Sequence, residues 1–321
     1  MEKFYVIGID LGGTKINAVV SDNQGTIISQ KLIKTEANLG EISVLNKIIG
    51  IVDDLLEENV SIKGEIKAIG IGSPGPLDPK KGVIIRTPNL PFVNFNLAQP
   101  IKEKFNVPVF LDNDCNAAAI GEYYFGAGKE TTDMIYVTIS TGVGAGAILD
   151  GRIYRGKYGN ALEFGHTTII EGGPRCNCGN YGDVEVLSSG TAIARQAREK
   201  IKEGAETSLR KYENPTTYEV YLESKNGDKV SSEILDKSFT YFGTGIANII
   251  NMLDPEMIVI GGGVTNVGNI LFDKVGEVVR ERSLNKGIGV EILPAKLGQN
   301  AGVLGAVGLA LMELKAISDK F

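Results

Sequence analysis

A strand, a glycine turn and a second strand recur at two places in this chain, and that repetition restricts the fold more than any other feature. In the first half, Asp10-Leu11-Gly12-Gly13-Thr14-Lys15 joins a β-branched run over residues 3–10 to another over Thr14–Val20. In the second half, Met134–Ser140 reads as a strand, Gly142–Gly146 as a glycine turn and Ala147–Tyr154 as further strand. The first pair is followed by an extended segment at Thr26–Lys34, a helix over Glu41–Leu56 with Ile42, Leu45, Ile48, Ile49, Val52, Leu55 and Leu56 at helical spacing, and a strand at Ile66–Gly72. Val107–Leu111 reads as a strand, and Asn113–Tyr124 as a helix opened by Asn and Asp caps. Beyond the second pair come a helix at Lys237–Leu253, a buried strand at Met257–Ile260, a helix at Asn269–Leu284, a strand at Val290–Pro294 and a helix at Ala301–Leu314. Two variants of one plan imply a layered α/β fold. A chain of 321 residues exceeds the size at which one core keeps growing, so two domains are expected. The polar segment Lys202–Lys229, with scattered tyrosines and little apolar periodicity, reads as a surface excursion with helical pieces.

Composition narrows the function classes. A net charge of −6 argues against nucleic acid as a default partner, because phosphate backbones are held by clustered Lys and Arg. The chain enters its first strand without a basic segment and a long apolar run, so export by that route is not expected. No apolar run is read as approaching the roughly 20 residues of a membrane helix. The three cysteines, an odd number, fit a reducing cytoplasm rather than a disulfide framework.

The glycine turns bare backbone N–H groups, which bind phosphate. In the first turn Thr14 adds a hydroxyl, and Asp10 at the strand end can hold a hydrated Mg²⁺ on the same phosphates; a plain hairpin turn is the competing explanation. Ser140-Thr141-Gly142-Val143-Gly144-Ala145-Gly146 repeats the arrangement. Gly70-Ile71-Gly72-Ser73-Pro74-Gly75 has dinucleotide-fingerprint spacing, but the prolines at 74, 76 and 79 prevent the helix such a loop must enter, so a loop lining a cleft is expected. Gly261-Gly262-Gly263 follows a buried strand, where missing side chains can admit a flat ring such as adenine or simply make a turn.

Glu163-Phe-Gly-His166 and, after a short gap, Cys176-Asn-Cys178-Gly-Asn-Tyr-Gly-Asp183-Val-Glu185 hold the single histidine and two of the three cysteines. Imidazole and thiolate are preferred ligands of a tight divalent metal. A core histidine beside two buried cysteines is the alternative, and co-location among glycines favours the metal. At Leu111-Asp112-Asn113-Asp114-Cys115-Asn116, short polar side chains gather where a strand ends and a helix begins. There Asn113 and Asp114 can grip sugar hydroxyls, a carboxylate can take a proton as a hydroxyl attacks phosphorus, and at least one of the three polar residues serves only as a cap. Cys115 is expected to pack rather than react.

These motifs, with Ser73-Pro-Gly-Pro, Pro88-Asn89-Leu and Ile260-Gly-Gly-Gly-Val264, resemble in type and order those of the ROK family of sugar kinases, and within it the glucokinases, along essentially the whole chain. The resemblance implies an actin-like ATPase (ribonuclease H-like) fold of two α/β domains flanking a cleft. It sets residues 1–112 plus 301–321 as the smaller domain, and 113–300 as the larger one with the zinc-type motif and a dimer surface. It implies a cytoplasmic homodimer that transfers phosphate from ATP, carried with Mg²⁺, to the 6-hydroxyl of a hexose such as glucose. Asp114 would be the general base, and Asn89, Asn113, Glu163, His166 and Glu185 would hold the other hydroxyls. Asp10, Gly12, Gly13, Thr14, Lys15, Thr141 and Gly142 would attend the phosphates, with Gly262 and Gly263 near adenosine. The family's Zn²⁺ motif offers a third cysteine where this chain has Asp183, so the implied ligands are His166, Cys176, Cys178 and Asp183, a harder and weaker set. Two further departures are Leu162, where glycine usually precedes the glutamate, and the absence of tryptophan from Asn89-Leu-Pro-Phe-Val-Asn-Phe95. Fructose, mannose, N-acetylmannosamine and N-acetylglucosamine stay open beside glucose. A sugar-responsive repressor is the rival, and a first strand at residue 3 is read as leaving no space for a DNA-binding helix-turn-helix. A non-catalytic sugar-sensing module is a second rival.

Overall fold

A computed structural model describes residues 3–87 and 89–319, so Pro88 of the Pro88-Asn89-Leu90 motif lies outside the described residues. The chain forms two compact units, Met1–Thr132 with Gly146–Ala161 and Lys296–Phe321, and Asp133–Ala145 with Leu162–Ala295.

The first unit begins with β1 (Tyr5–Leu11), β2 (Lys15–Asp22), β3 (Ile27–Lys34), α1 (Glu41–Glu58) and β4 (Ile66–Ser73). Then come the short strands β5 (Leu77–Asp78), β6 (Val83–Arg86) and β7 (Val93–Asn96), followed by α2 (Ala98–Phe105), β8 (Val109–Asn113) and α3 (Asp114–Phe125). Its main sheet runs β3-β2-β1-β4-β8, with β1 antiparallel to β2 and parallel to β4. Residues of β1 such as Ile7, Ile9 and Leu11 pack with Ile48, Val52 and Leu55 of α1 in one core on one face. The second unit carries β9 (Met134–Ile139) and the start of β10 (Val143–Leu149), whose hairpin partner β11 (Arg152–Ile153) belongs to the first unit. It continues with α4 (Val184–Ser188), α5 (Gly190–Lys202), α6 (Thr217–Lys225), α7 (Lys229–Leu253), β12 (Met257–Gly261), α8 (Asn269–Arg282) and β13 (Glu291–Pro294). Strand β12 lies parallel between β9 and β13. The chain then returns to the first unit as α9 (Ala301–Ser318).

Helix α9 lies against the other face of the first sheet, and glycines set how close it comes. A Cβ on Gly70 of β4 would sit 2.0 Å from the Ala306 carbonyl oxygen, and one on Gly8 of β1 would sit 2.7 Å from that of Val303. On the opposite side, a Cβ on Gly305 would meet the Ala117 carbonyl of α3 at 2.1 Å. These distances leave room for a hydrogen only, so backbone packs on backbone. Buried Glu122 of α3 fastens the returning chain by accepting from the N–H groups of Ala127, Lys296 and Leu297 at 2.8, 3.1 and 2.8 Å.

Several expectations change. Helix α3, placed by sequence at the start of the second domain, belongs to the first unit, because its small residues face α9. The expected glycine turn Gly142–Gly146 is a turn only over Ser140–Gly142; Gly144 and Gly146 lie inside β10. Gly146 is glycine because a Cβ there would lie 2.9 Å from the Cys115 carbonyl of α3. Gly70 and Gly72 lie in the expected strand, which is β4, while the proline segment after it, expected to be irregular, carries β5 of the small sheet β5-β6-β7. Helix α7 starts at Lys229 rather than Lys237, because the Asp228 carboxylate caps it through Ser231 N–H at 2.8 Å, a signal that apolar periodicity misses. Gly298–Ser318 does have the length and, at 1.5, the mean hydropathy of a membrane-crossing helix. It is the core helix α9, with a continuous run from Val303 to Met312 buried.

The seam predicts opposite signs for two glycine substitutions. Gly305→Ala should lower stability by about 3 kcal/mol or more through overpacking. Gly50→Ala, inside α1 with nothing within 4 Å of the new methyl, should raise it by about 0.5–1 kcal/mol. Urea unfolding of the two variants measures both.

Candidate functional site

In the first unit the turn between β1 and β2 is closed by Gly12 N–H donating to the Lys15 carbonyl at 2.9 Å, while Thr35 Oγ1 donates to the Gly12 carbonyl at 2.6 Å. Thr14 and Lys15 are exposed on it. A Cβ on Gly13 would lie 2.8 Å from Asn89 Cβ, so the structure brings Asn89, expected on the sugar, against the turn expected on the phosphates. Asp10 ends β1 beside the first turn of α9, where a Cβ on Gly302 would stand 2.7 Å from its carboxyl carbon. Burial, and then the charge of Asp114, push the Asp10 carboxyl up to about 6.

Asn113 caps α3 by accepting from Cys115 N–H at 2.8 Å through Oδ1, which leaves its Nδ2 as the group able to donate to a ligand. Asp114, the first residue of α3, accepts from the same N–H through its own Oδ1 at 2.8 Å. A helix N-terminus and a hydrogen bond favour the carboxylate form, but burial outweighs them and its pKa is raised above the ordinary range. A half-buried carboxylate at a helix start with one oxygen tied down can accept a proton from a hydroxyl at the other. Asp112 does not cap the helix, and half-buried Cys115 sits next to Asp114 in its first turn.

In the second unit the potential ligands His166, Cys176, Cys178 and Asp183 place their donor atoms within 4.8 Å of one another. The Asp183 Oδ2 atom lies 3.6 Å from His166 Nδ1 and accepts from Cys178 Sγ at 3.5 Å, while Cys176 Sγ is 3.9 Å from His166 Nδ1. Burial and the neighbouring carboxylate push the Cys176 thiol up to about 12. Two sulfurs, an imidazole nitrogen and a carboxylate oxygen form a donor set that suits tetrahedral zinc. Asp183 has a second duty, because its Oδ1 caps α4 through Val186 N–H at 2.8 Å. Glu185, two residues on, accepts from Val143 N–H at 2.9 Å, and a Cβ on Gly142 would lie 2.5 Å from the same oxygen. The start of α4 thus joins the metal cluster to the Ser140–Gly142 turn. That turn is closed by Ser140 N–H on the Gly142 carbonyl at 2.8 Å and leaves Thr141 exposed.

Glu163 is exposed beside a buried anchor. The Phe164 ring packs edge-on to Phe242 at 6.2 Å, and a Cβ on Gly165 would strike the Val143 carbonyl at 2.2 Å. Leu162 before it has φ +62°, a conformation glycine adopts freely and leucine only at a cost.

A cavity of about 530 Å³ opens beside the turn, lined by Thr141, Arg198, Thr216, Tyr218, Tyr221 and Gly263 among others. Its volume suits a nucleoside-sized ligand. Gly262 is absent from the lining; it has φ +93° and would carry a Cβ 2.3 Å from the Ile139 carbonyl, so it shapes the turn while Gly263 lines the space. Sequence reasoning missed Thr216, Tyr218 and Tyr221 by assigning Lys202–Lys229 to the surface. The available signal was the capping box in which Thr216 and Glu219 bond reciprocally, marking a helix start in that polar stretch. Thr217 Oγ1 on the Gly190 carbonyl at 2.9 Å and Gly190 N–H on the Ser140 carbonyl at 2.7 Å then seat α6 and α5 against the glycine turn.

The family model described as "ROK family" matches residues 6–313. A glucokinase from Halalkalibacterium halodurans is 35% identical over 95% of this chain and 94% of its own length. A xylose repressor from Caldicellulosiruptor bescii is 33% identical over 98% of this chain and 80% of its own length. Among solved structures, a ROK family glucokinase from Streptomyces griseus in complex with glucose and AMPPNP superposes with a TM-score of 0.75 at 31% identity, covering 95% of this chain and 99% of that one. The chain therefore belongs to the ROK family and has its actin-like ATPase fold.

Proposed function

We propose that the protein is an ATP-dependent hexose kinase that phosphorylates the 6-hydroxyl of glucose, with Asp114 as general base. The observation that carries this reading is the half-buried carboxylate at the start of α3, with one oxygen bonded to the helix and its pKa raised by desolvation. A binding module has no need of a buried proton acceptor. In the reaction, the hydroxyl oxygen attacks the γ-phosphorus as its proton passes to Asp114, and the bond to the bridging oxygen breaks to release ADP. Asp10 would hold the waters of a nucleotide-bound Mg²⁺, which would neutralise charge on the phosphates. The turn at Gly12, Gly13, Thr14 and Lys15 offers phosphate contacts in the first unit, as Thr141 and Gly142 do in the second, where the cavity at Gly263 takes the nucleoside. Asn89, Asn113, Glu163, His166 and Glu185 are assigned to the remaining sugar hydroxyls. His166 has its Nδ1 turned to the cluster, leaving Nε2 for a hydroxyl. His166 Nδ1, Cys176, Cys178 and Asp183 Oδ2 are assigned to zinc, which would crosslink the loop to the start of α4 and take no part in the reaction.

The xylose repressors among the relatives favour a second reading, a sugar sensor without catalysis, and the other hexoses remain alternatives to glucose. A coupled assay of ADP release over a panel of hexoses tests both. Turnover with glucose should exceed that with the others, and Asp114→Asn should lower kcat by about 10²–10⁴-fold with a small change in hexose affinity. Unchanged turnover in that variant would remove Asp114 as the base.

Asp10 links function to stability. Its carboxyl is pushed up to about 6 in the fold from an ordinary 3.8, so between these values the folded state binds more protons and stability falls as pH rises. The full cost is present above about pH 6. Asp10→Asn should therefore stabilise the unliganded protein at pH 7.5 by up to about 3 kcal/mol, a gain that shrinks toward pH 4, while depressing turnover. Denaturant unfolding across this range measures the gain.

Asp183 should likewise separate two properties. Asp183→Cys should tighten zinc binding by at least about tenfold, read by competition with a chromophoric chelator. The zinc-free variant should lose about 1 kcal/mol because α4 loses its cap.

A further inference from the structure

The reaction described above leaves unused a carboxylate beside the proposed base. Asp112 is fully buried at the end of β8. Its Oδ1 accepts from the Asn113 backbone N–H and from Asn116 Nδ2, each at 2.8 Å. Its Oδ2 accepts from Arg155 Nε at 2.6 Å, and Arg155 Nη2 donates to Glu313 Oε1 on α9 at 2.7 Å. All these residues belong to the first unit. Arg155 follows β11 and lies 43 positions from Asp112 in sequence.

A buried anion without a counter-charge is strongly unfavourable, so Asp112 needs Arg155. What lifts the pair above an ordinary ion pair is the use of the other carboxylate oxygen. Through Oδ1, Asp112 grips the peptide of Asn113 and the side chain of Asn116, before and within the first turn of α3. Between them, Asn113 Oδ1 and Asp114 Oδ1 converge on the Cys115 N–H, each at 2.8 Å. A rotation of the Asp112 carboxyl would release the Asn113 peptide and with it the aim of Asp114.

We propose that Arg155 is a positioning residue for Asp114: anchored to α9 through Glu313, its guanidinium locks the Asp112 carboxyl in the orientation that holds the first turn of α3 and presents the base. This rests on the reading of Asp114 as the general base. A displacement of about 1 Å at a reacting group can lower turnover about a hundredfold without loss of binding.

The test uses Arg155→Met, which keeps length and removes charge, and Arg155→Lys, which keeps charge and loses the fork. At a temperature where circular dichroism shows each protein folded, Arg155→Met should lower kcat by about 10–100-fold with KM for glucose and for ATP within about threefold of wild type, and Arg155→Lys should recover part of the loss. Backbone amide exchange at Asn113 and Cys115 should accelerate by about tenfold or more in Arg155→Met, while amides of β12 keep their wild-type rates. A folded Arg155→Met protein with kcat within twofold of wild type, or with unchanged exchange at these two amides, would overturn the proposal. If Arg155→Met does not fold, Arg155→Lys is judged by the same criteria. Failure of the kinase reading shows separately, as wild-type protein that phosphorylates no hexose or as an active Asp114→Asn variant; exchange at Asn113 and Cys115 then decides the role of Arg155 by itself.

Discussion

The first unit depends on the contact of α9 with backbone on two sides. Helix and sheet approach until only a hydrogen fits at Gly8 and Gly70, and helix and helix do so at Gly305. Contacts this short fix the axial position of α9, because any slide along its axis drives a carbonyl into a neighbouring chain. The consequence reaches the chemistry. Gly302 in the first turn of α9 lies against the Asp10 carboxyl, and the small residues of α3 pressed on α9 set the helix whose first residue is Asp114. Burial raises the Asp10 carboxyl, and the charge of Asp114 adds to that shift. A looser seam would leave both free to turn toward water and return to ordinary acidity.

In the second unit the comparable part is the short helix α4. Two residues at its start carry two separate duties: Asp183 closes the cluster with His166, Cys176 and Cys178, and Glu185 receives the Val143 N–H next to the Ser140–Gly142 turn. An aspartate in the fourth ligand position gains something that a cysteine would lack, because its second oxygen caps the helix. The softer ligand gives tighter metal, the carboxylate a better-formed helix. This chain has the carboxylate, so the cap of α4 is made by Asp183 itself.

The parts of the fold legible in sequence are those that follow local periodicity. The strands around Gly12 and Gly13, helix α1 with its apolar face, and the strand–helix switch at Asn113 all carry their cause within a few residues. The His166, Cys176, Cys178 and Asp183 group was legible for a related reason, since scarce residue types stood close together in the chain. What escaped depends on contacts distant in sequence. Gly144 and Gly146 look like turn glycines until α3 is seen to press on Gly146. Tyr218 and Tyr221 line a cavity because α6 is seated on Gly190, which no window of sequence around 218 contains. Arg155 falls in the same class, as one of three nearby basic residues, with Arg152 and Lys157, that no local pattern singles out, joined to Asp112 only by the fold. Burial of α9 likewise turns an apparent membrane-length segment into a core helix.

The charges at the end of β1 and β8 follow one logic. Asp112 is given a counter-ion, while half-buried Asp10 and Asp114 have none among the described residues and are both pushed toward protonation. Had Arg155 faced Asp114, that carboxyl would have been held as a contented anion with little affinity for a proton. Had Asp112 lacked it, a third uncompensated carboxylate would have added repulsion beside the other two. On the proposed reading, with Asp114 as base and Asp112 positioning it, the guanidinium neutralises Asp112 and leaves proton affinity on Asp114. The destabilisation that remains at Asp10 and Asp114 is set against the seam of α9 in the same unit, whose close contacts hold both carboxylates in place.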